Sequence, residues 1–336
     1  MLRRFQTPQE FLEYLQAAFA RPAEPGEGDP LYESMARERL SRHRPELRAE
    51  DVRGYRVVIK ELMQDIQAGA PEAVRCKINN AVAVGGLNTG EINAMCVKSP
   101  DSKYAVLIGY GLFNFFHKYF KLTYATCCPQ SVIHCSRKPV SALTGWDLLE
   151  YAKELARNYK THGAPYGALI LVDEDAPRLF WQSYSVSLSL CESFVLCHEL
   201  AHFLCGHLDD ERNLSPLVID PSISKFREST LHSLELEADL AAYSLARQAM
   251  RVRFPGVAEK QLFFPLVILF DLLHYISDGQ CSTHPDARSR VLHVARNFYG
   301  HETSQLLEDS YHDHDLLRPL AAKPLRIRRR RSGNTL

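Results

Sequence analysis

Five residues, His198-Glu199-Leu200-Ala201-His202, constrain this chain more than any other stretch. On a helix, positions four apart share a face, so both imidazoles can reach one metal ion. The glutamate between them can take the proton of a water activated by that ion. Around them Val186, Leu188, Phe194, Val195, Leu200, Ala201 and Leu204 are apolar over much of the circumference. The helix is therefore expected to be central, running from about Ser183 or Ser185 to Gly206. Two core histidines beside a capping glutamate would be the plainer reading. In apolar surroundings, however, two imidazoles and a carboxylate are costly unless something satisfies them, and zinc would.

A two-histidine motif needs a third ligand. The positions where a metzincin would carry its glycine and third histidine hold Cys205 and Leu208. His207 lies just past the Gly206 break and is one candidate. A second helix offers another: in Ser233-Leu234-Glu235-Leu236-Glu237-Ala238-Asp239-Leu240, Glu235 and Asp239 are four apart and share a face. Glu235 would complete a His-His-Glu set, and Asp239 would accept a hydrogen bond from the far nitrogen of a ligating imidazole. Glu237 points elsewhere and reads as solvated. A third stretch, Ser282-Thr283-His284-Pro285-Asp286, supplies an imidazole, His284, able to hydrogen-bond a developing oxyanion. Standing alone, such a histidine is usually only a loop residue.

Composition narrows the classes. At 336 residues, 46% hydrophobic and 24% charged, the chain reads as an ordinary globular protein with room for a large core. Lys and Arg number 40, as do Asp and Glu, so no global field draws it to nucleic acid or membrane. The opening Met1-Leu2-Arg3-Arg4-Phe5 lacks the apolar segment of a signal peptide. The nine cysteines are odd in number and scattered, which suits reduced thiols in a cytoplasmic compartment. The most apolar run, Leu262 to Ile276, is shorter than the roughly 20 residues of a membrane span and reads as a buried helix.

Along the chain, Thr7-Pro8-Gln9-Glu10 caps a helix to about Ala20, and helical patterns follow near 31–43 and 46–68. Between 74 and 110, short apolar runs separated by turn signals predict strands in an antiparallel meander. Gly111-Leu112-Phe113 opens an aromatic helix and Thr144-Gly145-Trp146-Asp147 caps another, with a short strand expected at 168–172. Cys127, Cys128, His134 and Cys135 match no zinc spacing and read as core thiols and a surface histidine. The chain ends in an arginine-rich segment, 326–331, which offers RNA, DNA or an acidic partner a docking point, although a solvated tail is preferred.

Taken in order, His198-Glu199-Leu200-Ala201-His202, Glu235-Leu236-Glu237-Ala238-Asp239 and Thr283-His284-Pro285 with Arg290 resemble the gluzincin peptidases of the HtpX and CAAX-prenyl-protease type. Asn93-Ala94, the run 104–108 and Gly111-Leu112 share in that resemblance, which spans roughly 75–295. It implies an α+β core, a small antiparallel sheet with metal-binding helices, joined to a helical N-terminal region. It also implies a zinc ion on His198, His202 and Glu235, with Glu199 and His284 catalytic and Asp239 and Arg290 behind the ligands. The strand Asn93-Ala94-Met95-Cys96 would pair with an extended protein or peptide substrate.

Without membrane spans, and with a longer insertion before the metal helix, the layout looks more like the soluble phage-exclusion peptidases of the Lit type. That similarity implies a triggered defence or toxin-like protease acting on a host protein, with an activating partner. The divisions expected are 1–70 helical, 71–315 peptidase, and 316–336 basic tail. The rival class is a non-catalytic, metal-stabilised regulatory or nucleic-acid-binding protein. A zinc hydrolase acting on something other than peptide is a third.

Overall fold

The computed structural model describes residues 4–19, 56–87, 93–162, 166–209, 221–277 and 285–311. The helix expected at 31–43, the start of the one at 46–68, His284 and the arginine-rich tail lie outside the described residues.

Helix α1 (Pro8–Phe19) begins as its cap predicts. The Glu10 amide donates to Thr7 Oγ1 at 3.2 Å, and Glu10 Oε2 accepts from the Gln6 amide at 2.8 Å. Helices α2 (Arg56–Gly69) and α3 (Glu72–Ala81) lead into strand β1 (Val82–Leu87). Strands β2 (Ala94–Lys98) and β3 (Tyr104–Gly109) form a hairpin closed by the Ser102 amide on the Ser99 carbonyl at 3.0 Å.

The expected antiparallel meander is corrected here. Spatial order is β1-β3-β2, with β3 parallel to β1 and antiparallel to β2, so the sheet is mixed. The cause lies in β3, which is buried at every position. Tyr104, Val106 and Ile108 enter the main core, while Ala105 and Leu107 meet Phe11, Leu12 and Leu15 of α1 on the other face. Alternate residues of a strand point to opposite faces, and a strand apolar on both must lie in the middle of a covered sheet. The half-buried β2, ending in Lys98, takes the outside.

Helix α4 (Tyr110–Ala125) carries the aromatic run, and β4 (Val132–Cys135) pairs with β5 (Ile170–Val172) across α5 (Gly145–His162). The cap of α5 is reciprocal: Thr144 Oγ1 accepts from the Asp147 amide at 3.2 Å, and Asp147 Oδ2 accepts from the Thr144 amide at 2.8 Å. In the region of scattered thiols, Cys128 is buried and His134 exposed.

Helix α6 (Arg178–Leu204) starts earlier than expected, directly after Pro177, and is buried on nearly all sides. It packs along α7 (Pro221–Arg253), with α8 (Glu259–Ser277), α4 and the sheet around it. On α7, Ala238, Ala242, Ala246 and Ala249 are all but completely buried, forming a smooth stripe that allows close helix packing. Gly69 at the end of α2 fits the same pattern: a Cβ there would stand 2.7 Å from the Gln248 carbonyl carbon. Helices α9 (Ala287–Tyr299) and α10 (His301–Tyr311) complete the fold. Among the described residues no helix is long and apolar enough to cross a membrane.

Candidate metal centre

Burial fixes α6 as the rigid wall of the site. Its two motif histidines stand one turn apart with their Nε2 atoms 3.1 Å from each other. From α7, Glu235 presents Oε2 at 3.3 Å from His198 Nε2 and Oε1 at 3.4 Å from His202 Nε2. A tetrahedral zinc with bonds of about 2.0–2.1 Å spaces its donors about 3.3–3.4 Å apart. The three side chains therefore already stand near the separations such an ion imposes.

The charges agree with the distances. Glu199, Glu235 and Asp239 against Arg290 leave a negative balance that a divalent cation would neutralise. Burial opposes charge on His198, but contacts with Asp239 and Glu235 outweigh it and raise the ring to about 9. Burial, and then the neighbouring His198, push His202 down to about 4. The acidic balance and the spacing of the three donors together fit a bound divalent cation.

Behind His198, Nδ1 faces Asp239 Oδ1 at 3.1 Å. Asp239 is fully buried and accepts two hydrogen bonds from Arg290, from Nε and Nη2, each 2.7 Å. Arg290 Nη2 also lies 3.6 Å from Glu235 Oε2, and its guanidinium sits 5.2 Å from the Phe270 ring centre. Helix α9 delivers this arginine, capped by Asp286 Oδ2 accepting from the Ser289 amide at 3.1 Å. Burial works to raise the Asp239 carboxyl, but Arg290 and then His198 hold it below the ordinary carboxylate value.

Behind His202 the chain turns back on itself. Gly206 has φ +76°, its amide bonds to the Phe203 carbonyl at 3.1 Å, and the His207 amide reaches the His202 carbonyl at 2.9 Å. This paired closure is a Schellman motif, which needs a left-handed residue after the helix and favours glycine there. It folds His207 over His202, Nδ1 to Nδ1 at 3.0 Å, while His207 Nε2 stands 3.3 Å from Glu237 Oε2. His207 thus faces the back of a motif histidine instead of the three-donor cluster. Glu237 is exposed as expected, yet it is partnered, which its position two residues from Glu235 does not suggest. The glycine immediately before His207 is the signal the sequence offers. Gly206→Ala is expected to lower stability by about 1–2 kcal/mol in denaturant unfolding, since a Cβ there would meet Asp209 Oδ2 at an ordinary contact distance of 3.5 Å and the backbone conformation is what is penalised.

Glu199, half-buried, looks toward the sheet: burial first, and then its charge, push the Cys96 thiol of β2 far above its usual value. The hairpin is tied to the end of α6, because Asp209 accepts from Lys98 at 2.8 Å and from Tyr104 at 2.5 Å. Met95 and Cys96 lie on this outer strand, Ala94 begins it, and the Asn93 carbonyl accepts from the Gly109 amide at 2.8 Å.

Residues 175–309 match the Peptidase U49 family, a stretch that contains α6, α7, α8 and α9. The match supports a peptidase, and the phage-exclusion peptidase Lit is in that family. No curated protein and no solved structure matches the chain.

Proposed function

We propose that this protein is a zinc-dependent endopeptidase that hydrolyses a peptide bond in a protein substrate. The observation that carries the reading is the convergence of His198, His202 and Glu235 at 3.1–3.4 Å, with Glu199 on the same turn of α6. A purely structural zinc site has no use for that extra carboxylate. Zinc held by the three side chains would lower the pKa of a water and polarise the scissile carbonyl.

Glu199 takes the water's proton and hands it to the leaving amine. Asp239, held by Arg290, fixes the His198 ring so that Nε2 keeps its lone pair for the metal. The outer strand, from Asn93 to Cys96, offers backbone groups to an extended substrate. His284 is assigned to the developing oxyanion. The Lit-type similarity extends the proposal to a cytoplasmic, triggered defence or toxin-like protease acting on a host protein, with the N-terminal helices and the basic tail as sensors.

Glu235→Ala is expected to cost the protein the one equivalent of zinc held by His198 and His202, read by metal analysis after dialysis. Zinc retained there at unchanged stoichiometry and affinity would move the third ligand elsewhere. For the reaction itself, new protein N-termini are sought in cells expressing the wild type against cells expressing Glu199→Gln. Termini that depend on the glutamate support a peptidase and nominate its substrates. A wild-type chain that yields none, and whose tight, salt-sensitive binding of RNA or DNA is lost on deleting residues 326–336, would favour the rival, non-catalytic class.

A further inference from the structure

One further group of metal-ligand side chains, Cys205, His207 and Glu237, has its donor atoms within 4.8 Å of one another. We propose that these residues form a second, thiolate-containing site for a divalent cation of the zinc class, built against the back of His202. Nothing in this proposal requires the first site to be filled.

The Schellman turn makes the site. By reversing the chain at Gly206 it sets Cys205 and His207 on either side of the glycine and brings both to α7 at Glu237. His207 is pre-oriented as ligating histidines usually are, with one ring nitrogen occupied by a protein partner and the other presented outward. Its Nδ1 is held by His202 at 3.0 Å, and the residue is 6% exposed. Its Nε2 stands 3.3 Å from Glu237 Oε2, close to the donor spacing of a tetrahedral ion.

Cys205 is exposed and the Glu237 side chain is 62% exposed, so a cation has an entry path and water can complete its coordination. Sulfur with imidazole and carboxylate selects zinc-like cations over magnesium or calcium, which prefer oxygen donors throughout. Binding replaces the thiol proton and any hydrogen on His207 Nε2; with both sites filled a single proton lies between His202 Nδ1 and His207 Nδ1, one ring binding as the imidazolate, and every displaced proton is released to solvent.

Cobalt(II), a zinc substitute with a visible spectrum, is the probe, titrated into the purified full chain. A His-His-Glu site gives only ligand-field bands. A cysteine thiolate adds a sulfur-to-cobalt charge-transfer band in the near ultraviolet. The expected result is such a band, growing with the second equivalent of cobalt and lost in Cys205→Ser. Cys205 is exposed, so that variant should fold; Glu237→Gln, also at the surface, is expected to weaken the second equivalent without changing the first.

Cys96 lies beside Glu199 and is another thiol near the first site, so Cys96→Ser must retain the band. A saturated protein with no charge-transfer band, or a band that survives Cys205→Ser, overturns the proposal. Failure of the first site would appear separately: the charge-transfer band would then grow with the first equivalent of cobalt and saturate there, with no earlier phase of ligand-field bands alone.

Discussion

Glu199→Gln is expected to keep its zinc and its unfolding midpoint while peptide cleavage slows roughly 10²–10⁴-fold. The substitution changes one atom's chemistry and almost no volume, on a side chain that is neither among the three clustered donors nor fully buried. Glutamine can still hydrogen-bond a water but cannot take its proton at neutral pH. The measurement is kcat on a substrate returned by the N-terminal search, alongside metal content and thermal unfolding of the same preparation. A rate within tenfold of the wild type would place the base elsewhere. Loss of zinc would instead put Glu199 in the ligand set, and the assignment of Glu235 would have to be given up.

The second large effect concerns stability. Asp239→Ala is expected to destabilise the protein by about 3–5 kcal/mol, because it leaves the Arg290 guanidinium buried without its carboxylate. For a chain of this size that corresponds to a fall in Tm of about 4–7 °C. Zinc affinity should fall as well, by about 10–100-fold, since His198 loses the group that orients its ring.

The two consequences can be separated. Asp239→Leu combined with Arg290→Met removes the buried charge with its partner, and stability should largely return while zinc affinity stays low. Denaturant unfolding and competition with a chelator give the two readouts. A single Asp239→Ala variant that loses less than about 1 kcal/mol would mean that Arg290 finds water or another anion and that the pair is not buried in solution.

How much of this could be read from residues depends on the range of the interaction. Caps are local, and the Thr7 and Thr144 boxes were legible because donor, acceptor and helix lie within four residues. The pairing of His198 with His202, and of Glu235 with Asp239, follows from helical periodicity alone. Bringing those two faces together needed chemistry as well: buried imidazoles lacked a partner, and a nearby helix carried carboxylates at matching spacing. The order of the sheet was not legible, because strands of similar composition carry no label for their neighbours; only the two-sided apolar character of β3 hinted at its central place. The His202–His207–Glu237 chain was missed for a different reason. It depends on a backbone reversal at one glycine, and helical periodicity no longer applies beyond it.

The two-sided burial of β3 has a mechanical meaning for the whole molecule. The wall between α1 and the metal helix is one strand thick: Leu107 presses on the N-terminal helix while its neighbours Val106 and Ile108 join the core that holds α6. The Phe5 amide, ahead of α1, is also fastened to Asp101 Oδ2 in the β2–β3 turn at 2.8 Å. Peeling the N-terminus away would pull directly on the hairpin whose outer strand borders Glu199. A segment that looks remote in the chain is thus a lever resting against the back of the candidate active site.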